Sequence, residues 1–496
     1  MVQTDPREAL QNAASLVKQR QLDKAEQQAR LALSDPQIRP AAYSVLGTIR
    51  FEQKRLAESA KFFQEAVRLE PRLLGANLIL AEVYTFQGKT DLALGQFRHI
   101  LTLDPLNIPA RIALARSETE KGHYRQSLDL ARPVLPALKQ SPDGLLVLTA
   151  DYLETGDRLA AADLVKDWLR LPDVPLDWSI KFALLLAKEG EVDEAIEILE
   201  DAGQPDPPHY ELAFNLGNLY LLKKDFSLAL KYYDLAVAQN PEAVPALRQA
   251  AATAEQHGEL ERSLSYWFRA KKIEPEDPEV LLGFGRVCLK MDLLEDAEPA
   301  LTKAASLRPE NPAYQYTLAS VKVGTRQFEA AEELLGNLVK KKPLDPQFQY
   351  ALGSVLYLQG KLADAGTHLR ESIRLQPNQL GSPYYLALVV RDRGNEAEAI
   401  QRLEELLQHY PDDAASCEAL GGLLVSAHRY SEAERNLEKA IRLNPKSVKA
   451  NYQLGLVLAR MGKKEEADKR LELVKSLRTG DESNSRLQLR LLDPVR

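Results

Sequence analysis

The chain has 496 residues, of which 45% are hydrophobic and 27% are charged, so it is not a wholly disordered polymer. Its 64 Lys and Arg residues against 71 Asp and Glu residues give a net charge of −7, which does not favour a dominant nucleic-acid footprint. Two cysteines exclude a disulfide scaffold and a cysteine-based zinc site, and no apolar run approaches the ~18 residues of a membrane-spanning helix.

Prolines recur at a fixed step along the chain. From Pro207 onward the step from one proline to the next is constant, seven times in succession. The prolines in this phase are Pro71, Pro105, Pro207, Pro241, Pro275, Pro309, Pro343, Pro377, Pro411 and Pro445. A fixed period of about 34 residues is the signature of a repeat array, in which each repeat packs on its neighbours. We therefore expect an array of small repeats rather than several globular domains.

Each period also carries large and small residues in a constant order. A large residue, as at Leu216, is followed by a small one, as at Gly217. Further on come a second small residue, as at Ala229, and a large one four places later, as at Tyr233. Such spacings place these side chains on one face of a helix.

A glycine often stands between the two predicted helices of a repeat. It marks the turn between antiparallel helices, and the proline ends one helix pair and allows the next to begin. The glycines are Gly88, Gly122, Gly156, Gly190, Gly258, Gly360, Gly394 and Gly462. Each repeat is thus predicted to be a helix–turn–helix that buries its apolar face only by stacking.

This pattern resembles the tetratricopeptide repeat, and the segment from His209 to Ala243 is close to the family consensus. Thirteen repeats run in one phase from residue 40 to residue 481. The family's tryptophan, three residues before the leucine, is absent. The resemblance implies an all-α fold, an α-solenoid of about 14 repeats and about 28 helices forming a right-handed superhelix.

In chain order we predict five regions. They are a divergent first repeat in 1–39, regular repeats in 40–129, irregular proline-containing repeats in 130–208, regular repeats in 210–481 and a C-terminal tail in 482–496.

The irregular region follows from its prolines. Pro133 and Pro136 lie inside the second predicted helix of 108–141, where prolines kink or shorten a helix. The region either changes the superhelical curvature and divides two sub-arrays, or is a locally divergent repeat. In the tail, Leu487 and its neighbouring leucines either cover the last apolar face or belong to a disordered end.

Motifs of enzymatic chemistry are incomplete. Gly88-Lys89-Thr90 lacks the first glycine of a phosphate-binding loop. Gly283-Phe284-Gly285 occupies ordinary repeat positions, and Cys288 stands where a dinucleotide fingerprint needs its third glycine. The seven histidines are too far apart in sequence for a helical zinc site. We predict no enzyme activity, no cofactor and no metal.

The remaining candidate site is a surface. In proteins that this repeat resembles, the first helix of each repeat lines the concave face, and positions 2, 5, 9, 12 and 13 of the repeat commonly contact ligands. Positions are counted from the first residue of each repeat, so that position 5 of the repeat beginning at residue 210 is Phe214. Carried onto this sequence, these positions give the predicted peptide-binding residues Asn218, Arg248, Arg286, Tyr316, Tyr350, Tyr357, Tyr384 and Arg391.

Three of these residues, Tyr316, Tyr350 and Tyr384, form a stripe that follows the repeat period strictly. Small neighbours such as Gly381 and Ser354 leave room beside the rings. Tyrosine suits peptide capture because it offers contact area and a polar tip at low ordering cost. The alternative role is packing between neighbouring helices.

The function predicted from the sequence is a non-catalytic scaffold or adaptor that binds protein segments in the concave groove. The alternatives are an accessory subunit of a bacterial envelope, secretion or pilus assembly, and a substrate-recognition arm for an enzyme on another chain. Its partners are proteins or peptides, with no nucleic acid and no membrane span expected. Cytoplasm is the default location, because charged residues precede any apolar stretch at the start of the chain. A periplasmic location stays open if a signal peptide was removed.

Overall fold

The structure is a computed structural model that describes residues 5–202 and 209–479. Within those residues the chain forms twenty-nine α-helices, one 3-10 helix and no strand. The chain divides into two compact parts, the N-terminal half (Met1–Gln239) and the C-terminal half (Asn240–Arg496). The predictions for 203–208 and for the tail in 482–496 lie outside the described residues.

The helices of the N-terminal half are α1 (Pro6–Lys18), α2 (Leu22–Ala32), α3 (Arg39–Glu52), α4 (Leu56–Leu69), α5 (Leu74–Phe86), α6 (Thr90–Leu103), α7 (Ile108–Glu120), α8 (Tyr124–Ala131), the 3-10 helix Arg132–Val134, α9 (Leu135–Leu138), α10 (Pro142–Thr155), α11 (Arg158–Trp168), α12 (Leu176–Lys188), α13 (Val192–Asp201), α14 (Tyr210–Leu222) and α15 (Phe226–Gln239).

The helices of the C-terminal half are α16 (Val244–His257), α17 (Leu260–Ile273), α18 (Pro278–Lys290), α19 (Leu294–Leu307), α20 (Pro312–Gly324), α21 (Phe328–Lys341), α22 (Pro346–Leu358), α23 (Leu362–Leu375), α24 (Gly381–Asp392), α25 (Glu396–His409), α26 (Ala414–Ser426), α27 (Tyr430–Leu443), α28 (Val448–Arg460) and α29 (Lys464–Thr479).

Within each half, every helix pair packs on the pair that follows it. This confirms the predicted helix–turn–helix stack for the described residues. The described helices number one more than 28 because the second helix of the repeat 108–141 is interrupted. It ends at Ala131 and resumes at Leu135 after a 3-10 turn that contains Pro133. The predicted effect of the prolines is confirmed, since proline lacks the N–H that would continue the helix.

The small residue in each first helix makes room for a large side chain of the second helix. A Cβ atom added at Gly217 would lie 2.6 Å from Cε1 of Tyr233, and one at Gly47 would lie 2.7 Å from Cε2 of Phe63. Both aromatic side chains have no exposed surface. The large–small pattern in the sequence therefore specifies how the two helices of a repeat interlock.

The turns between paired helices adopt a left-handed backbone conformation. All eight turn glycines named from the sequence have positive φ, from 70° at Gly88 to 91° at Gly190. In other repeats a non-glycine residue takes this conformation, as at Lys54 and Lys224. The prediction of a glycine-marked turn is confirmed, because glycine adopts positive φ without the steric cost of a Cβ atom.

Candidate functional site

The tyrosine stripe lies on α20, α22 and α24. Tyr350 has 0% of its surface exposed and Tyr316 has 6%, whereas Tyr384 is half-buried. Burial raises the pKa of the Tyr316 hydroxyl, as expected for a phenol in an apolar core. Tyr316 and Tyr350 thus take the packing role, and Tyr384 is the member of the stripe that offers surface. Ligand contact at the stripe stays a prediction.

A glycine of the following repeat explains the burial of Tyr350. A Cβ atom at Gly381 would lie 2.6 Å from Cε2 of Tyr350, and the centroid of that ring lies 6.0 Å from the centroid of Tyr385. Tyr316 packs in the same manner on Phe348, with ring centroids 5.9 Å apart. The room beside Gly381 is therefore filled by a tyrosine ring of the chain itself.

Two further predicted residues, Tyr357 and Arg391, meet around a carboxylate. The Tyr357 hydroxyl donates a hydrogen bond to Oδ2 of Asp392 at 2.9 Å and accepts one from Nη2 of Arg391 at 3.1 Å. Arg391 Nε also donates to Oδ1 of Asp392 at 2.6 Å. Burial and the hydrogen bond to Asp392 raise the pKa of Tyr357 to about 12. The arginine charge is thus balanced within its own helix.

Arg286 is paired in a similar way. Its Nη2 donates to Oε2 of Glu255 at 2.6 Å, and Lys290 Nζ lies 2.9 Å from Oε1 of the same carboxylate. The Glu255 side chain is only 6% exposed. Burial raises the pKa of Glu255, but the hydrogen bonds from Arg286 and Lys290 outweigh it, so the pKa lies below its ordinary value.

The last two predicted residues also have partners within the chain. Arg248 on α16 forms an ion pair with Glu279 on α18. Asn218 on α14 accepts a hydrogen bond at its Oδ1 from the Tyr233 hydroxyl at 2.8 Å. The three predicted arginines are therefore all neutralised by carboxylates of the C-terminal half, and a ligand that used them would compete with an internal ion pair.

The N-terminal half presents a different surface at the same repeat positions. Position 5 of five consecutive repeats is a large apolar residue, and each one is half-buried. We call this set the apolar ladder; it comprises Leu78, Ile112, Leu146, Ile180 and Phe214. It lies on the first helices α5, α7, α10, α12 and α14. The ladder was not predicted from the sequence, although its constant spacing of one repeat is visible there.

Exposed apolar side chains extend the ladder. At position 9, Leu184 is 48% exposed, and at position 13, Leu222 and Phe86 are 61% and 67% exposed. Positions 5, 9 and 13 are four residues apart and so lie on one face of a helix. The first-helix face of the N-terminal half, meaning positions 2, 5, 9, 12 and 13 of its repeats, therefore carries a row of partly open apolar side chains. Contiguous exposed apolar surface often marks an interaction site, whereas single exposed apolar residues are normal.

The stacked helix pairs make the described chain a helical-repeat solenoid. Models of the tetratricopeptide repeat match residues 10–73 and 316–379, residues 186–254 and 424–488, and residues 384–413. Together these matches cover more than half of the chain. The chain belongs to the tetratricopeptide repeat family.

Individual relatives are distant. The chain is 23% identical over 284 residues to the Protein CTR9 homolog of Arabidopsis thaliana, covering 55% of this chain and 26% of that protein. It thus spans about a quarter of the length of that curated relative. A crystal structure of the APC/C hetero-tetramer Cut9–Hcn1 is 14% identical with a TM-score of 0.42, covering 90% of this chain and 95% of that one. A tetratricopeptide repeat protein from Parabacteroides merdae is 16% identical with a TM-score of 0.37, covering 57% and 98%.

Membership of this family indicates a scaffold for protein interactions, with protein partners and a fold that is generally non-catalytic. In the part of the chain that the structure describes, no helix is both long and apolar enough to cross a bilayer. Across residues 5–202 and 209–479, no group of three His, Cys, Asp or Glu side chains is arranged to hold a metal ion.

Proposed function

We propose that this protein is a non-catalytic scaffold that holds an extended segment of a partner protein along the apolar ladder. The observation that carries the proposal is the ladder itself. Five large apolar side chains stand at one repeat position on five successive first helices, and all five keep part of their surface open.

The dimensions of the ladder suit an extended chain. Packed helices lie roughly 8–10 Å apart, so five successive first helices span roughly 30–40 Å. An extended segment of about ten to twelve residues has that length. Apolar side chains of such a segment would bury the open parts of the ladder, and burial contributes about 25 cal/mol per Å² of apolar surface.

The test is a peptide array probed with the full-length chain. Twelve-residue peptides of varied sequence are screened against the wild type and against the double variant Leu184→Ser/Leu222→Ser. Both leucines are exposed, so their replacement leaves the fold intact. We expect a subset of apolar peptides to bind the wild type and to lose most of their signal on the variant.

The matched control is Leu307→Ser/Leu443→Ser, which removes two exposed leucines from second helices of the C-terminal half. This control should bind the same peptides as the wild type. Equal binding by both double variants would contradict the proposal. Saturable turnover of any substrate by the purified chain would contradict its non-catalytic part.

A further inference from the structure

The first-helix face of the N-terminal half carries an excess of carboxylates around the apolar ladder. In the six repeats that begin at residues 40 to 210, positions 2, 5, 9, 12 and 13 hold seven acidic residues and two basic ones. The acidic residues are Glu52, Glu82, Glu120, Asp143, Glu154, Asp177 and Glu211, and the basic ones are Arg116 and Lys188.

Most of these carboxylates are not neutralised by the chain. Arg116 pairs with Asp143, and Lys188 Nζ lies 3.8 Å from Oε1 of Glu154. The other five acidic residues form no ion pair with any residue that the structure describes, and all five are exposed. They are Glu52, Glu82, Glu120, Asp177 and Glu211.

We infer that the partner segment is basic as well as apolar, with Lys or Arg residues set between large apolar side chains. This inference rests on the proposed function and adds the charge of the ligand to it. The apolar residues of the segment lie on the ladder, and its cations lie against the unpaired carboxylates. Charge complementarity of this kind speeds association and selects among partners.

The alternation within each first helix supports this assignment. In the repeat beginning at residue 176, acidic Asp177 at position 2 precedes Ile180 at position 5 by three residues. In the repeat beginning at residue 210, Glu211 precedes Phe214 by the same spacing. Residues three apart are neighbours on a helix surface. In these two successive repeats, a carboxylate therefore lies next to a residue of the apolar ladder.

The experiment measures fluorescence anisotropy with four labelled twelve-residue peptides and the full-length chain. Three peptides share leucine at every third position and carry lysine, serine or glutamate between the leucines. The fourth keeps the lysines and replaces every leucine with serine. We expect the leucine–lysine peptide to bind at least tenfold more tightly than the leucine–serine peptide. Its affinity should fall as salt rises, because exposed charges are screened.

Two charge-matched variants locate the effect. Glu82→Gln/Glu120→Gln/Asp177→Asn removes three unpaired carboxylates from the face and should weaken leucine–lysine binding about tenfold. Asp23→Asn/Asp91→Asn/Glu197→Gln makes the same charge change at exposed positions on the second helices α2, α6 and α13 and should leave binding unchanged.

The outcomes separate this inference from the proposed function. Equal affinity for the leucine–lysine and leucine–serine peptides would overturn the basic assignment and leave the scaffold proposal standing. Absence of binding by all four peptides would overturn both. Equal binding of the lysine–serine peptide would overturn the inference by showing attraction without the ladder.

Discussion

Parts of the two halves of the molecule use the same repeat positions differently. In the C-terminal half, position 5 of two repeats is a tyrosine buried against the next repeat, and the arginines at positions 5, 9 and 12 are paired with carboxylates. In the N-terminal half, position 5 is a half-buried ladder of apolar side chains with unpaired carboxylates around it. The same repeat pattern therefore allows these positions to be filled by side chains of the chain itself in one half and to stay partly open in the other.

Repeat position alone therefore does not decide the role of a side chain. What decides it is the residue opposite, in the neighbouring repeat. Tyr350 is buried because Gly381 of the following repeat lets its ring approach. In the repeat that follows Leu146, position 2 is Asp177 instead of a glycine, and the Asp177 side chain is exposed. Function in such a fold is set by a few surface residues rather than by the fold.

The largest expected effect compares position 5 between the halves. Tyr350→Ala should lower the free energy of unfolding of the C-terminal half by about 3–5 kcal/mol, because it empties a buried ring site. Phe214→Ala should cost the N-terminal half about 1–2 kcal/mol, because its ring is only half-buried. Hydrogen exchange resolved by peptide reports each half separately. Similar losses of stability at the two residues would contradict the difference in burial between the two halves.

A buried acid of the N-terminal half gives the next effect. Asp151 on α10 has no exposed surface, and its Oδ1 accepts a hydrogen bond from Thr119 Oγ1 at 2.7 Å. Burial raises the pKa of Asp151 to about 6. Its ordinary value is about 3.9. At a pH between these two values, Asp151 keeps its proton in the folded state but has released it in the unfolded state. Stability therefore falls as pH rises, by up to about 3 kcal/mol in total.

The measurement compares wild type with Asp151→Asn by hydrogen exchange of α10 between pH 4 and pH 7. The stability of the variant relative to wild type should increase over this range by about 3 kcal/mol, because the amide does not titrate. A difference that stays constant with pH would show that Asp151 has an ordinary pKa.

A buried acid of the C-terminal half should behave with the opposite sign. The pKa of Glu255 is lowered, since hydrogen bonds from Arg286 and Lys290 outweigh burial. Its stabilising contribution is therefore present above the unfolded pKa of about 4.3 and is lost as pH falls through the lower folded pKa. Glu255→Gln should cost about 1–2 kcal/mol at pH 7. Denaturant titrations should show that cost shrinking below pH 4, and a cost that grew there would contradict the pairing.

The smallest effect concerns a lysine on the first-helix face of the N-terminal half. Lys188 lies 3.1 Å from Oε1 of Glu189 and 3.8 Å from Oε1 of Glu154, so it offsets part of the negative charge. Lys188→Gln should strengthen binding of the leucine–lysine peptide two- to threefold, the size of one exposed ion pair. Lys166→Gln, on the second helix α11, provides the matched control. Weaker binding to Lys188→Gln would contradict the charge assignment.

The sequence predicted the parts of the fold that depend on local spacing. The constant repeat period predicts the helix pairs, the glycines predict turns with positive φ, and Pro133 predicts the interruption after α8. Each of these follows from residues within one repeat. Burial of Tyr316 and Tyr350 was not predictable in the same way, because it depends on contacts between repeats.

The small residue at Gly381 was interpreted as room for a ligand. A sequence shows that space exists but not which side chain fills it, and the ring of Tyr350 does so. The apolar ladder was missed for a related reason. Large apolar residues on an amphipathic helix are ordinarily core, and only the structure shows that the five side chains of the ladder keep open surface.

We propose that the first-helix face of the N-terminal half is the docking surface for a basic, apolar segment. The most direct measurement is photo-cross-linking of the full-length chain with the leucine–lysine peptide carrying a photoreactive leucine analogue, followed by mass spectrometry of the cross-linked residues. We expect cross-links on α5, α7, α10, α12 and α14 that unlabelled peptide competes away. Cross-links concentrated on α20, α22 and α24, or on second helices, would contradict it.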